Sequence, residues 1–278
     1  MFKKFANLYV LGITGSIASG KSARCNRLNE LAKETTEKNA AVPGNGSVRR
    51  LAHANYVSAD LVGHQSYTPG TECYHEVVSA FGKEILEEKK ADQEFPPIDR
   101  KKLGPIVFGD SEKMQLLNKI VWPAVRKLLE ERIGQEAITA DEVEEKMVKM
   151  EQETGVTERS VPRSTASLLI IEAALLLEMG LTDICDEVWL ITVEREEAIV
   201  RIMQRDKCDE TLAEKKLSSQ MAPKDRVEKV KAIAAERSNC ERPLHVEVLD
   251  TTGVELEQDL KVNLPMHFDG LVTRATAV

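Results

Sequence analysis

Eight consecutive residues, Gly15-Ser16-Ile17-Ala18-Ser19-Gly20-Lys21-Ser22, satisfy the pattern GxxxxGK(S/T) in full. Each residue type has a physical task in such a stretch. Gly15 and Gly20 let the backbone wrap so that successive N–H groups face inward, making a nest for phosphate oxygens. Lys21 supplies a point charge for the β- and γ-phosphates, and the Ser22 hydroxyl is placed to ligate Mg²⁺. A helix beginning near Lys21 adds its positive dipole end to the same anion site. Gly15 through Ala23 are therefore the candidate nucleotide-binding residues, with Ser22 as the candidate metal ligand. A second candidate is Asp60, at the end of an apolar run. A carboxylate there can take a proton from an attacking hydroxyl, or position it, during phosphoryl transfer. The competing reading of Asp60 is a helix N-cap for the segment that follows.

The elements that must hold these residues are legible in outline. Tyr9 to Ile13 reads as a first strand, and Ser22 to about Lys33 as a helix with Leu28 and Leu31 on one face. Thr35 to Arg50 is polar, contains Pro43-Gly44-Asn45-Gly46, and reads as a surface loop or insertion. Asn55 to Ala59 reads as a second strand ending at Asp60. Residues 68–133 are mainly helical in pattern, with breaks expected at Pro69-Gly70, Pro96-Pro97, Gly104-Pro105 and Trp122-Pro123. Asp141 to Ser164 is rich in Glu and Lys and reads as an exposed helical hairpin or a flexible insert. Its acidic part, Asp141 to Glu153, reads as a solvated face. Leu168–Ile171 and Val188–Val193 are apolar runs expected to be central parallel strands, and His245–Leu249 a further one. Glu194 to Glu214 reads as one charged helix. Strands alternating with helices around a first-strand phosphate loop predict an α/β, doubly wound parallel sheet.

Composition bounds the chemistry. The 278 residues carry 38 Lys and Arg against 46 Asp and Glu, a formal charge of −8. An acidic chain is a poor generic nucleic-acid binder, though it can hold an anion in a local basic pocket. Cys25, Cys73, Cys185, Cys208 and Cys240 are scattered without a CxxC pair, which argues against a disulfide framework or zinc site and for a reducing compartment. The expectation is cytoplasmic, with a short mitochondrial presequence left open. No run approaches the roughly 18 apolar residues a membrane helix needs. The five histidines show no HExxH-like spacing.

The phosphate loop alone does not choose among kinases, GTPases and motors. Asp60-Leu61-Val62-Gly63 mimics a GTPase DxxG, but Asn118-Lys119-Ile120-Val121 lacks the aspartate of a guanine-reading NKxD. A wider set of segments is specific. GITGSIASGKS, then SAD at 58–60, DRKKLGPIVF at 99–108, a Trp-Pro, EAALLLE at 172–178 and MQRD at 203–206 together resemble the dephospho-coenzyme A kinase family, in order and rough spacing from about residue 8 to 253. The resemblance implies a P-loop kinase core with a helical substrate-binding insertion and a lid, in a single domain over 1–278. Its parts would be a nucleotide core at 8–62 and 166–253, a helical substrate region at 65–133, an insertion at 134–165 and a lid at 200–235. It implies ATP-dependent phosphorylation of the ribose 3′-hydroxyl of dephospho-CoA, with Mg²⁺, by a monomer or weak homo-oligomer without nucleic-acid or membrane partners.

Carried over by position, Asp60 matches the family's catalytic aspartate, and Lys21 and Ser22 match its phosphate and magnesium residues. Arg100 lies in the segment that covers dephospho-CoA, and Glu178 closes the P-L-L-x-E element, so Asp60, Arg100 and Glu178 are the implied substrate residues. Arg205 matches an arginine at the start of the lid and joins Asp60 and Lys21 as an implied catalytic residue. Gln220 and Pro223 resemble the Gln-x-P at the lid's end. The departures are Ser58 for the first Asp of D-A-D, Ala23 for Ser or Thr, Trp122 for His, Glu172 for Asp, Ala174 for Pro, and Lys216 for a lid arginine. The alternatives are another nucleotide or small-molecule kinase of this fold, or a nucleotide-binding pseudokinase.

Overall fold

The computed structural model describes residues 5–41, 50–88, 93–153 and 165–277. Strand β1 (Leu8–Gly15) is buried at every residue, as a strand flanked on both sides and covered on both faces must be. It is followed by α1 (Lys21–Ala41), β2 (Arg50–Ser58), α2 (Ala59–Ser66), α3 (Glu72–Phe81), α4 (Arg100–Phe108) and α5 (Ser111–Glu153). Then come β3 (Thr165–Glu172), β4 (Glu187–Thr192), α6 (Arg195–Asp206), α7 (Glu210–Ser218), α8 (Pro223–Glu236) and β5 (His245–Asp250). The chain ends in α9 (Leu256–Gln258), which passes through a π-helical turn into α10 (Leu264–Ala277).

The strand order is β2-β3-β1-β4-β5. The pairs β1–β3, β1–β4 and β4–β5 are all parallel. β1 lies where the order reverses: β2 and β3 fall to one side, β4 and β5 to the other. In open α/β sheets the loops at that point line the ligand crevice, and the loop after β1 is the glycine-rich one. Alternation along the strands separates the two faces. Tyr9, Leu11 and Ile13 pack with Leu168, Ile170, Trp189 and Ile191 beneath α1 and α10, where Cys25, Leu28, Phe268 and Leu271 complete the core. On the opposite face Gly12 leaves room for Cys185 and Leu176; a Cβ there would meet both at 2.8 Å.

The described chain divides into two compact units, Met1–Val57 with Ile133–Val278, and Ser58–Arg132. The first holds the sheet. The second has its own core: Tyr74, Val77 and Phe81 of α3, Leu103 and Val107 of α4, and Ile85 and Ile98, against which Met114, Leu117, Ile120 and Val121 of α5 pack.

Several sequence expectations are corrected. Gly104-Pro105 and Trp122-Pro123 do not break helices; α4 and α5 run through them. A mid-helix proline costs about 3 kcal/mol, and the apolar faces on either side of Pro123 outweigh it, from Met114 to Val121 before and Ala124, Leu129 and Ile133 after. Helix α1 continues to Ala41, so Thr35–Ala41 is helix and not loop; the Pro43–Gly46 turn lies outside the described residues. Residues 141–153 are one more stretch of α5 rather than a hairpin or insert, and 154–164 lie outside the described residues. The acidic face there is not wholly solvated, because Asn7 donates to Asp141 and Glu144. One turn earlier, buried Glu136 accepts from Asn55 at 2.7 Å and lies 3.0 Å from His53 Nε2 on β2. The helix expected over 194–214 is two, α6 and α7, separated at Lys207 with φ 54°.

A polar cluster locks α10 to the sheet. Glu187 is 0 % exposed and accepts from Tyr9 Oη, Trp189 Nε1 and two nitrogens of Arg274. Burial pushes its carboxyl up, but the hydrogen bonds from Arg274, Trp189 and Tyr9 outweigh burial and hold it below its ordinary value. A depressed folded-state pKa contributes stability above the unfolded value and loses it as pH falls through the folded one. Arg274→Met should therefore lower stability by about 3 kcal/mol at neutral pH. Melting curves across pH should show the gap to wild type narrowing below about pH 4, where carboxylates protonate; a constant gap would mean that Glu187 is not the partner that matters.

Candidate active site

The loop after β1 takes the shape its glycines permit. A Cβ on Gly15 would lie 2.1 Å from the Ile191 carbonyl oxygen, so only glycine lets the loop pass that close to β4. Gly20 has φ 79°. Ala18, although not glycine, has φ 62°, a left-handed conformation that L-residues adopt only when surroundings enforce it. The surroundings here are explicit. Arg201 of α6 donates to the Ala18 carbonyl at 3.3 Å, and the Ile17 N–H donates to Gln220 Oε1 at 2.9 Å. Within the loop the Ser16 and Ser19 hydroxyls are buried with no hydrogen-bond partner among the described residues. Buried donors without partners are costly, and an anionic ligand would satisfy them.

The loop's carbonyls are held by cations. Arg24, 2 % exposed, donates to Ser19 O at 3.1 Å and Gly20 O at 3.3 Å and pairs with Asp259 at 2.6 Å. Arg201 also donates to Thr251 O at 2.8 Å and pairs with Glu197 at 2.6 Å. Lys21 Nζ folds back to Ser16 O at 2.9 Å, which keeps its charge at the loop. Ser22, in the first turn of α1, donates to Glu172 Oε1 at 2.7 Å, and Tyr56 donates to Glu172 Oε2. A hydroxyl beside a carboxylate is a hard oxygen donor set of the kind Mg²⁺ takes, so these residues fit that ion.

Residues 200–235, the segment expected to be a lid, fall in α6, α7 and α8. Arg205 is half exposed and bonds its neighbour Asp206 at 2.7 Å; Lys216 reaches the same carboxylate at 2.6 Å. Hydrogen bonds from Arg205 and Lys216 hold the Asp206 carboxyl well below the usual carboxylate range. Glu178 pairs with Arg226 of α8 at 3.3 Å. Arg226 is 0 % exposed and also donates to the Ala174 and Met221 carbonyls, so Glu178 shares a buried cation with the turn that follows β3.

In the Ser58–Arg132 unit, Asp60 lies in the first turn of α2. The cap of that helix is Ser58, whose side chain accepts from the Leu61 N–H, so the capping role offered for Asp60 is already filled. Arg100 opens α4 and sits 2.8 Å from His64 Nδ1. Burial and then the Arg100 charge push the His64 imidazole below its ordinary value, with Asp60 acting against them. Arg100, Lys101, Tyr67 and Thr68 line a cleft of about 350 Å³. Asp60 and Arg100 thus belong to one unit, and the phosphate loop, Glu178 and Arg205 to the other.

Sequence reading missed Arg24, Arg201, Arg226 and Tyr56, and noted Glu172 only as a departure. The available signal was thin: Arg24 lies three residues after Lys21, and Arg201 one helical turn before Arg205.

The family model of dephospho-CoA kinase matches residues 47–153 and 153–241. A dephospho-CoA kinase of Geobacter sulfurreducens is 32 % identical over 212 residues, covering 76 % of this chain and 81 % of that protein. One of Carboxydothermus hydrogenoformans is 30 % identical over 222 residues, covering 79 % and 82 %. The crystal structure of TT1252 from Thermus thermophilus shares the fold at TM-score 0.53 and 18 % identity, covering 95 % of this chain and 98 % of that one. Among the described residues, no helix is long and apolar enough to cross a membrane.

Gly15→Ala should displace the loop from β4. ATP affinity is expected to fall at least about tenfold, with stability lower by about 1–3 kcal/mol from the forced shift. Nucleotide titration and thermal melts check both; a variant that binds ATP normally would show that the close approach to Ile191 is dispensable.

Proposed function

The chain belongs to the dephospho-CoA kinase family, and from that premise we propose a reaction for it with residues in named roles. It transfers the γ-phosphoryl group of ATP to the ribose 3′-hydroxyl of dephospho-CoA, giving coenzyme A and ADP. The observation that carries the reading is the complete phosphate loop, with Lys21 folded onto it and Ser22 held against Glu172.

The loop N–H groups of residues 15–22 other than those of Ile17 and Ser19, which already donate to Gln220 and to Ser16 O, join the Ser16 and Ser19 hydroxyls and the Lys21 ammonium in binding the triphosphate. Its charge is neutralised by fixed donors that need no rearrangement as the reaction proceeds. Ser22 would hold Mg²⁺, with Glu172 behind it, and the ion would supply positive charge against the charge that develops on the transferring phosphoryl group. Asp60 accepts the proton of the 3′-hydroxyl as the new O–P bond forms and the bond to the β,γ-bridging oxygen breaks. Its support is chain position, two residues beyond the end of a strand of the nucleotide sheet, together with a cap already provided by Ser58. Arg100 is assigned to the acceptor because it lines a cleft of about 350 Å³ with Lys101, Tyr67 and Thr68. Glu178 is assigned to the acceptor side through its pairing with Arg226. Arg205 is assigned to the transferring phosphoryl group, which requires it to exchange Asp206 for phosphate. With its scattered free cysteines the enzyme works in a reducing compartment, which we take to be the cytoplasm.

Purified protein should release ADP from ATP rapidly only when dephospho-CoA is present. Asp60→Asn should bind ATP within about twofold of wild type yet lose kcat by about 10²-fold or more. Unchanged turnover in that variant would remove Asp60 from the role of base.

A further inference from the structure

We propose that Tyr56 is a positioning residue for the cation that accompanies ATP, acting through the Glu172 carboxylate on the Ser22 hydroxyl; the inference rests on the kinase reading above. Three elements converge on one carboxylate. Glu172 ends β3 and is 7 % exposed. Ser22, from α1, donates to its Oε1 at 2.7 Å, and Tyr56, from β2 beside it in the sheet, donates to its Oε2. Each oxygen therefore has its own hydroxyl donor, which fixes both the reach and the plane of the carboxylate.

The consequence falls on Ser22. Its hydrogen is directed at Glu172, which leaves its oxygen lone pairs for a cation on the other side. That orientation holds only while the carboxylate stays in place. A glutamate has one more rotatable bond than an aspartate, and free rotation weakens any site it is asked to build. The Tyr56 phenol removes that freedom. Its ring packs against the apolar core under α1 and α10, so the donor at its tip stands on a rigid base. Tyr56 thus supports Ser22 from behind without touching the reacting atoms.

The test measures ATP binding without any acceptor, once in EDTA and then across a Mg²⁺ series. Tyr56→Phe keeps the ring and removes only the donor. It should leave affinity in EDTA unchanged and raise the half-saturating Mg²⁺ concentration about fivefold, the scale of one ordinary intramolecular hydrogen bond. Glu172→Asp draws the carboxylate back from both hydroxyls and should raise the Mg²⁺ midpoint by itself. In that background, adding Tyr56→Phe should move the midpoint less than about twofold, because coupled neighbours are not additive. The proposal is overturned by an unmoved midpoint in either single variant, by equal shifts in both backgrounds, or by a loss in EDTA as large as that in Mg²⁺. Failure of the kinase reading shows separately, as wild-type protein that binds Mg²⁺ and ATP normally but makes no acceptor-dependent ADP.

Discussion

A loop that turns its amides inward to meet phosphate must turn its carbonyls outward, and buried carbonyls need donors. In this chain that requirement organises much of the nucleotide unit. Ser16 O is taken by Lys21, Ala18 O by Arg201, and Ser19 O and Gly20 O by Arg24. The two arginines are in turn fixed by partners, Arg24 by Asp259 and Arg201 by Glu197 and Thr251. The left-handed Ala18 is tolerable because both sides of it are held. The C-terminal segment and α6 thus help to hold the 15–22 loop even though no residue of theirs belongs to its motif.

This explains what could and could not be read from the sequence. The phosphate loop was legible because its residue types are dictated by backbone geometry at fixed spacing. The strands were legible because β1, β3 and β4 are apolar runs long enough to need two covered faces. The cationic clamps were not, because Arg24, Arg201 and Arg226 look like any charge on a polar helix until the fold brings them to their carbonyls. Helix continuity through Pro105 and Pro123 was hidden for a similar reason: a local rule about proline lost to tertiary packing on both sides of it. The division at Lys207 had no strong signal either, since a lysine is an unusual occupant of a left-handed position.

Three departures from the family pattern acquire physical meaning. Ser58, where the family has aspartate, is the N-cap of α2, a role in which serine serves as well. Glu172, again in place of aspartate, is longer by one methylene and has Tyr56 to steady it. Lys216, in place of a lid arginine, shares Asp206 with Arg205, so the acidic residue and not the lysine is the hub of that part of the lid. Nothing in the structure explains Trp122 in place of histidine.

The attachment of the lid has a mechanical consequence. Arg201 grips the loop at Ala18, and Gln220 grips it at Ile17, with α7 between them in sequence. The intervening chain is an arch with both feet planted on the same few peptide groups. Such a span flexes at its crown instead of swinging from one end, and any load on the crown is felt at its feet. The backbone of the glycine-rich loop is therefore the abutment of the span that carries α7.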